Sequence, residues 1–328
     1  DRMQKKILVS GIQSSGRLHI GNYFGAMKQN IELSGGDEYE SYVFIADYHS
    51  MTTLTDASER RKSSFDLACA YLACGLDTSK VTLFKQSDIP EHTELSWMLS
   101  TVTPMAMLEL AHAYKDKQAK NLEGNAGLFT YPVLMAADIL MYNADVVPVG
   151  KDQIQHVEMT REIAGKFNRA YGVELFKMPQ QYVKPEVATV LGVDGEKMSK
   201  SYGNVIPLFG TDEEIRKAVM GIVTDSASPE DKKNPDENNI YKIHKLFLSA
   251  DEDRVVRARY EEGGLGYKEA KEMLLNAIIS FISAKREKYD HYQANPEEVR
   301  KILAEGAIRA RSKAQNTMNT VRIQVGLQ

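Results

Sequence analysis

Two segments of the chain contain residues that can hold a polyphosphate. The first, residues 11–22, reads Gly-Ile-Gln-Ser-Ser-Gly-Arg-Leu-His-Ile-Gly-Asn; it follows a short apolar run and leads into a predicted helix. Its glycines allow tight turns and a close approach of a ligand, and free N–H groups at a helix start favour phosphate. The spacing differs from the G-x-G-x-x-G pattern of dinucleotide-binding folds, which removes the main support for a dehydrogenase. Taken alone, the segment also fits an ordinary strand-to-helix turn.

The second segment, residues 193–204, reads Val-Asp-Gly-Glu-Lys-Met-Ser-Lys-Ser-Tyr-Gly-Asn. Its two lysines, Lys197 and Lys200, lie three residues apart in a loop that also contains glycine and serine. Mobile ammonium groups can close on a polyphosphate as point charges. A charged surface loop is the alternative, and a single K-x-x-K pattern does not distinguish the two.

A third candidate site is a carboxylate on a predicted helix. Tyr131, Met135, Asp138 and Tyr142 are spaced by four, three and four residues, so they share one helical face. Pro132 is expected in the first turn of this helix. A carboxylate among apolar and aromatic groups suits a ligand with a donor-only N–H, such as an indole. Alternatively, Asp138 caps a neighbouring helix or pairs with a buried Arg or Lys.

The first half of the chain alternates short apolar runs with segments of helical length. Residues 7–9, 42–46, 81–84 and 146–149 are typical of buried strands. This alternation predicts a doubly wound parallel sheet, which binds ligands at the carboxyl ends of its strands. His49 follows the second strand, so it is either a wall of such a pocket or a histidine satisfied within a turn.

The second half is predominantly helical. Thr211–Glu214 has the sequence of a capping box, helices are predicted over 240–248, 267–292 and 297–325, and the polar stretch 225–239 is typical of a loop. We therefore predict a Rossmann-like α/β catalytic domain followed by a smaller all-helical C-terminal domain. The predicted division is 1–190 for the catalytic domain with a helical insertion around 90–140, 191–206 for the lysine-containing loop, and 207–328 for the helical domain. The last helix either stays with that helical domain or packs back on the catalytic domain.

Composition narrows the class of protein. The chain has 43% hydrophobic and 26% charged residues, and no apolar run approaches the ~20 residues of a membrane span. The apolar run near the N-terminus is too short for a signal peptide, so we predict a soluble cytoplasmic protein. Cys69 and Cys74 are too few for a zinc or iron–sulfur site and are expected to be core thiols; no metal site is predicted. With a net charge of −4, a nucleic acid must be met by a local basic patch.

The two phosphate-handling segments, in this order and far apart, resemble the two hallmark motifs of class I aminoacyl-tRNA synthetases. Residues 19–22 depart from the usual His-Ile-Gly-His because Asn22 stands in fourth place, so no mechanism that depends on a second histidine is implied. Residues 11–13 with 19–23 are similar to the bacterial-type tryptophanyl-tRNA synthetases. Residues 131–140, which read Tyr-Pro-x-x-x-Ala-x-Asp-Ile-Leu, resemble the indole-binding helix of that family. The resemblance covers nearly the whole chain.

The resemblance implies that tryptophan and ATP form tryptophanyl-adenylate and pyrophosphate, and that tryptophan is then transferred to tRNA(Trp). It implies Mg²⁺ carried on the ATP phosphates. The residues implied to drive catalysis are Gln13, Lys117, Lys197 and Lys200. Those implied to contact ATP are Gln13, Ser14, Ser15, His19, Gly21, Asn22, Gly150, Lys151, Asp152, Val190, Lys197, Met198, Ser199, Lys200 and Ser201. Those implied to contact tryptophan are His49, Tyr131, Met135, Asp138, Val147, Val149 and Gln153.

Three alternatives stay open from the residues alone. A tyrosyl-tRNA synthetase has similar motifs, and Asp138 can equally accept a phenolic hydroxyl. A non-catalytic RNA-binding paralogue would not need Lys197, Lys200, Gln13 and Asp138 together. A small-molecule nucleotidyltransferase would not need the helical C-terminal domain.

Two surfaces are predicted to bind partners. The stretch 91–110 is more apolar than a surface helix should be and resembles the family's dimerisation insertion, so we predict a homodimer; an intrachain pair of core helices is the alternative. Basic side chains of the helical region are predicted to meet tRNA, unless they pair with neighbouring acids. These are Arg254, Arg257, Arg259, Lys285, Arg286, Lys288, Arg300, Lys301, Arg309, Arg311 and Lys313.

Overall fold

The structure, a computed structural model, describes residues 4–14, 16–119 and 123–328. Its strands are β1 Lys6–Ile12, β2 Tyr39–Ile45, β3 Val81–Lys85, β4 Val146–Val149 and β5 Gln180–Val183. Its helices are α1 Ile20–Asn22, α2 Lys28–Ser34, α3 Asp47–Ser50, α4 Ala57–Ala73, α5 Glu91–Ser100, α6 Met105–Glu109, α7 His112–Ala119, α8 Ala126–Leu140, α9 Ile154–Tyr171, α10 Asp212–Met220, α11 Asn239–His244, α12 Ala250–Glu262, α13 Tyr267–Ala294 and α14 Pro296–Gln324. None of these helices is long and apolar enough to cross a membrane.

The strands of the described residues form one parallel sheet in the order β3-β2-β1-β4-β5. This confirms the predicted Rossmann-like fold class. In the sheet Ile12 lies opposite Ile45, and Ile45 lies opposite Lys85, so β1, β2 and β3 end level with one another. The residues that follow these strands therefore share one edge. Strand β5 was not predicted, because all four of its residues are exposed and it has no buried apolar pattern.

Side-chain caps mark the start of several helices. Asp56 caps α4 by accepting the N–H of Glu59 at 2.8 Å, and Asn125 caps α8 by accepting the N–H of Leu128 at 2.8 Å. Helix α8 thus begins at Ala126, five residues earlier than predicted, and the placement of Pro132 in its first turn was wrong: Pro132 lies inside the helix. Proline has no N–H for the carbonyl four residues earlier. The helix continues because most of its second half is buried in the core.

The chain divides into two compact units, residues 1–14, 30–185 and 295–328 in the first and 15–29 and 186–294 in the second. The first contains the sheet and also α14, which agrees with the alternative that the last helix packs back on the catalytic domain. Helix α14 packs on β3 and also contacts α4 and α5. Its buried residues are Val299, Leu303, Gly306, Ala310, Ala314, Met318 and Val321. Two ion pairs join it to α5, Arg311 Nε to Glu91 Oε1 at 3.1 Å and Arg322 Nη2 to Glu94 Oε2 at 2.7 Å.

The second unit is built from α1 and from α10 to α13. The predicted capping box is confirmed: Thr211 Oγ1 accepts the N–H of Glu214 at 3.1 Å, and Glu214 accepts the N–H of Thr211 at 3.0 Å. Phe24 packs against the rings of Phe247 and Phe281 at 5.2 Å and 5.8 Å between centroids. These aromatic contacts hold the segment of the first motif against α13 and the turn that follows α11.

Candidate active site

The carboxyl edge of the sheet in the first unit is lined by polar side chains. Gln13 follows β1, His49 follows β2 in α3, Gln86 follows β3, and Gln153 follows β4. Residues from this edge, with Tyr131 of α8 and others, enclose a cavity of about 300 Å³. Its lining includes Gln13, Ser14, His49, Tyr131 and His156. This is where a parallel sheet is expected to bind its ligand.

Asp138 is the acidic centre beside this cavity, and its side chain is almost fully buried. Oδ2 of its carboxylate lies 2.7 Å from Nε2 of His49. Oδ1 accepts the Nε2–H of Gln86 at 2.8 Å and lies 2.6 Å from Nδ1 of His92. In the structure Asp138 neither caps a helix nor pairs with an Arg or Lys among the described residues. Its partners are two histidines and the amide of Gln86.

The Asp138 carboxyl is ionised. Burial raises its pKa, but the neighbouring His49 and His92 outweigh burial and hold that pKa below its usual value. An ionised carboxylate offers about four acceptor positions. The described donors occupy three of them. One position on Oδ2 therefore remains for a single additional donor.

Aromatic and apolar groups complete the surroundings. The edge of the Tyr131 ring meets the His49 ring at 4.9 Å and the His156 ring at 5.1 Å between centroids, and the Tyr131 hydroxyl reaches Sδ of Met135 at 3.9 Å. Val147 and Val149 are buried in the hydrophobic core next to the site. The structure thus brings His49, Tyr131, Met135 and Asp138 together, while the ligand contacts predicted for all seven residues remain predictions.

Three residues near this centre were missed as site residues. Gln86 follows β3 at the same sheet edge as His49, so the rule that selected His49 would have found it. His92 is fully buried on α5, and no local pattern in the sequence links it to Asp138. His156, on α9, is also buried and lines the cavity.

The two phosphate-handling motifs meet within the second unit. The N–H of Ile20 donates to the carbonyl of Ile206 at 3.0 Å, and the N–H of Leu208 donates to the carbonyl of Leu18 at 3.0 Å. These bonds clamp the first motif to the segment that follows the second. At Gly21 a methyl group would lie 2.9 Å from the His19 ring and 3.4 Å from Cβ of Met198, so only glycine fits there without displacing a neighbour.

Gly16 of the first motif also lies close to the second motif, against the side chain of Lys200. Gly16 has φ of 83°, a conformation that side chains other than glycine rarely adopt, and a methyl group there would overlap Nζ of Lys200. The ammonium group of the second motif therefore lies directly over the glycine turn of the first. Two segments that are far apart in the sequence form one surface with a positive charge on it.

Asn22, which occupies the position of the second histidine in the usual His-Ile-Gly-His motif, has a structural role. Its Oδ1 accepts the backbone N–H of His19 at 2.9 Å, which caps the short helix α1. His19 itself is buried, and burial lowers the pKa of its imidazole, so it is neutral near pH 7. A neutral imidazole can exchange hydrogen bonds with a phosphate or ribose but adds no charge.

Asn204, which sequence reasoning did not select, fixes the loop of the second motif. Its buried side chain donates to Asp194 Oδ1 at 2.8 Å and to the carbonyl of Lys197 at 3.0 Å, and accepts the N–H of Ser199 at 2.9 Å. An amide is the side chain that both donates and accepts in this way. Anchored at its backbone, the loop leaves Lys197 and Lys200 exposed, and no described carboxylate forms an ion pair with either.

The remaining predicted nucleotide contacts fall in several places. Ser199 and Ser201 share a hydrogen bond of 2.9 Å between their hydroxyls. Val190 is buried, and its carbonyl accepts the N–H of the buried Met198 at 2.8 Å. Gly150, Lys151 and Asp152 follow β4 in the first unit. Ser15 and the side chain of Lys117 lie outside the part of the chain that the structure describes.

Among described residues, no group of three or more His, Cys, Asp or Glu side chains is arranged to hold a metal ion.

The basic side chains predicted to meet tRNA are largely engaged with acids. Arg257 pairs with Asp236 and with Glu261, the second of these at 3.0 Å, and Arg259 pairs with Glu269 at 2.8 Å. Further pairs join Arg254 to Asp251, Arg286 to Asp212, Arg300 to Glu297 and Arg311 to Glu91. For these arginines the alternative of pairing with neighbouring acids was correct. Their charge is therefore partly neutralised before any nucleic acid arrives.

Comparison with known proteins agrees with this geometry. The family profile of tRNA synthetases class I (W and Y) matches residues 2–283, so the chain belongs to this family and is an aminoacyl-tRNA synthetase. It is 51% identical over 319 residues to the tryptophan–tRNA ligase of Fusobacterium nucleatum, covering 97% of each chain. The tryptophanyl-tRNA synthetase of Campylobacter jejuni, complexed with ADP and tryptophan, superposes with a TM-score of 0.92 at 45% identity, covering 98% of this chain and 99% of that one. A tyrosyl-tRNA synthetase of Archaeoglobus fulgidus, with a TM-score of 0.62 at 19% identity, shares the fold alone.

Proposed function

We propose that this chain is a tryptophan–tRNA ligase. It joins tryptophan to ATP, with release of pyrophosphate, and transfers the tryptophanyl group from the adenylate to tRNA(Trp), with release of AMP. The observation that carries the choice of amino acid is the buried carboxylate of Asp138, which retains one acceptor position beside an aromatic-lined cavity. An indole ring offers one N–H donor and no acceptor, so its hydrogen-bonding capacity matches that single position.

The nucleotide chemistry is assigned to the surface where the two motifs meet. In the first step the carboxylate of tryptophan attacks the α-phosphorus of ATP, and the bond to the oxygen that bridges to the β-phosphorus breaks. Charge accumulates on the departing pyrophosphate, and the exposed ammonium groups of Lys197 and Lys200 are free to follow it. His19, Gly21 and Asn22 shape the surface on which the phosphates lie. Mg²⁺ is proposed to travel on those phosphates and to share their charge.

The other predicted contacts belong to the same proposal. Gln13, Ser14, Ser15, Gly150, Lys151, Asp152 and Val190 are proposed to contact the nucleotide, and Lys117 is proposed to reach its phosphates. Tyr131 and Gln153 are proposed to hold the amino group of tryptophan. Because tRNA charging serves translation, we propose a cytoplasmic location, which cell fractionation tests.

Pyrophosphate exchange with each of the twenty amino acids tests the specificity. We expect exchange with tryptophan far above that with tyrosine or phenylalanine. Asp138→Asn should raise the tryptophan KM and narrow this margin, because the side chain keeps its shape and loses its charge; an unpaired buried donor costs about 1–3 kcal/mol. Exchange that is strongest with tyrosine would overturn the assignment. Unchanged discrimination by Asp138→Asn would mean that the indole partner lies elsewhere.

Single-turnover adenylate formation tests the two lysines. Lys197→Ala and Lys200→Ala should each slow this step by an amount corresponding to about 2–4 kcal/mol while tryptophan binding stays nearly unchanged, because the lost charge acts on the leaving group. Lys217→Ala, which removes an exposed lysine from α10 of the same unit, is the matched control and should have the parental rate. Parental rates in either test variant would exclude the proposed role.

We also propose that tRNA is read by the helical region of the second unit. Arg311 is committed to Glu91, so a charge reversal there would disturb the first unit rather than report on tRNA. Lys288→Glu on α13 is the cleaner change, because the Lys288 side chain is exposed. It should lower tRNA charging and spare pyrophosphate exchange, whereas Lys62→Glu on α4 should leave both unchanged. Equal loss in both assays would mean that α13 supports folding instead.

A homodimer is proposed from the apolar stretch 91–110. Its inward residues, including Leu95 and Leu99, are fully buried in the core of the first unit, so part of the stretch does form an intrachain helix packing. Its outward residues are Trp97, Met105 and Leu110, which are 74%, 63% and 59% exposed. Three large exposed apolar side chains on neighbouring short helices favour a two-fold contact with a second copy.

A further inference from the structure

His92 connects Asp138 to a third group that no part of the proposed reaction uses. Its Nδ1 lies 2.6 Å from Oδ1 of Asp138, and its Nε2 lies 2.7 Å from the hydroxyl of Tyr142. His92 and Tyr142 are both fully buried, and the Tyr142 ring stacks on Tyr42 at 4.9 Å between centroids. The chain of hydrogen bonds therefore runs from the core of the first unit to the carboxylate beside the cavity.

The direction of each hydrogen bond follows from what the groups can donate. An ionised carboxylate only accepts, so Nδ1 of His92 carries a proton and donates it to Asp138. Burial, with a further contribution from the Asp138 charge, raises the pKa of the Tyr142 hydroxyl well above its usual value, so Tyr142 keeps its proton. Among the described residues the hydroxyl has no other hydrogen-bond partner. It donates to Nε2, which leaves His92 neutral.

We propose that Tyr142 and His92 form a tautomer lock, in which the Tyr142 hydroxyl holds His92 as the neutral Nδ1–H tautomer and thereby keeps the Asp138 carboxylate ionised, oriented and able to accept the indole N–H. Both are positioning residues, since they act on the amino acid through Asp138. The proposal rests on the proposed function, which assigns the indole to Asp138. The opposite tautomer would turn the Nε2 proton to Tyr142 and set a lone pair of Nδ1 against the carboxylate.

Other polar groups that face this cluster come from several elements. His49 on α3 and Gln86 after β3 donate to Asp138, and Tyr131 on α8 contacts His49 through its ring. Glu91 on α5 and Tyr42 on β2 lie near Tyr142, with the Glu91 carboxylate paired to Arg311 of α14. His156 on α9 contacts the Tyr131 ring. Of these, only His49 and Gln86 bond directly to Asp138, so the protonation of Asp138 depends on them and on His92.

Removing the hydroxyl has a defined consequence for tryptophan binding. In Tyr142→Phe, Nε2 of His92 loses its donor, so nothing fixes which ring nitrogen carries the proton. The tautomer with an unprotonated Nδ1 sets a lone pair against the Asp138 carboxylate, which is then held less firmly for an indole N–H. The KM for tryptophan should rise by about three- to tenfold. The kcat and the KM for ATP should stay at parental values.

A double variant separates the lock from simple packing. An Asn side chain can place an amide N–H where Nδ1–H of His92 lies, and it has no second tautomer. Adding His92→Asn to Tyr142→Phe should therefore return the tryptophan KM toward its parental value. If the double variant keeps the raised KM, or if Tyr142→Phe has the parental KM, the lock is refuted.

The tautomer can also be observed directly in the unaltered protein. With ¹⁵N-labelled histidine, long-range ¹⁵N–¹H NMR spectra report which ring nitrogen carries the proton, and His92→Asn identifies the resonances. We expect protonated Nδ1 and unprotonated Nε2 at pH 8; the opposite tautomer would overturn the proposal. Parental protein that fails to activate tryptophan would instead refute the proposed function and leave the NMR result standing, so the two failures are distinguishable.

Discussion

The packing of α14 on β3 depends on a single glycine, and Gly306→Ala tests this directly. A methyl group built at Gly306 would lie 2.7 Å from the carbonyl carbon of Leu83 and closer still to its oxygen. Non-bonded heavy atoms pack best at about 3.5–4.0 Å, so the closer contact with the oxygen requires α14 to recede by about 1.5 Å. The obstacle is the backbone of β3, which is hydrogen-bonded to β2 and cannot rotate away as a side chain can.

The expected change in the free energy of unfolding of Gly306→Ala follows from two opposing effects. Overpacking of a core typically costs about 1–3 kcal/mol, and a rigid backbone obstacle places this site at the upper end. Replacing a mid-helix glycine by alanine contributes about 0.5–1 kcal/mol in favour of the helix. We therefore expect Gly306→Ala to lower the free energy of unfolding of the first unit by about 2 kcal/mol. Part of the loss comes from weakened contacts of the buried side chains on either side, such as Leu303 and Ala310.

Urea unfolding followed by fluorescence measures this effect in the correct unit. The chain has one tryptophan, Trp97 on α5, which belongs to the same unit as α14. Gly165→Ala is the matched control, because Gly165 is also a buried glycine within a helix, but a methyl group there meets only flexible side-chain ends, Arg169 at 3.2 Å and Met178 at 3.6 Å. The control should be unchanged or more stable by up to about 1 kcal/mol. Equal stability of Gly306→Ala and the parent, or an equal loss in both variants, would refute the reasoning.

Two further predictions concern α5. The hydrogen bonds from Arg322 lower the pKa of Glu94, so the pair stabilises the fold at pH above the unfolded value of about 4.5 and stops doing so as the pH falls through the lower folded value. Glu94→Gln should therefore cost about 0.5–1 kcal/mol in urea unfolding at pH 7 and almost nothing near pH 3; a difference that persists in acid would show a packing role instead. Trp97→Asp should leave the stability of the monomer unchanged, since this side chain is 74% exposed, and should halve the mass in sedimentation equilibrium. A parental protein that sediments as a monomer at micromolar concentration would reject the dimer.

Local sequence determined strands β1 to β4, the capping box of α10 and the two phosphate-handling motifs. A strand, a helix cap or a glycine turn depends on residues a few positions apart, so the caps formed by Asp56 and by the pair Thr211 and Glu214 are recognisable from the sequence alone. A parallel sheet binds its ligand at the carboxyl ends of its strands. Gln13 and His49 follow β1 and β2, which end level in the sheet, so this rule places both residues at the ligand edge. The sequence also predicted that Lys200 belongs with the first motif, since the two segments resemble one family's pair.

The partners of those residues were decided by tertiary structure. Asp138 receives Gln86 from 52 residues away and His92 from 46 residues away, and no periodicity within a helix encodes which distant side chain will face it. Strand β5 has no buried side, so its place at the sheet edge depends on backbone hydrogen bonds to β4, which any sequence can supply. Helix α14 joined the sheet unit because Gly306 permits backbone contact with β3, a fit that exists only after both elements have formed. Short-range patterns are set by local geometry, whereas long-range pairing depends on the packing of elements already made.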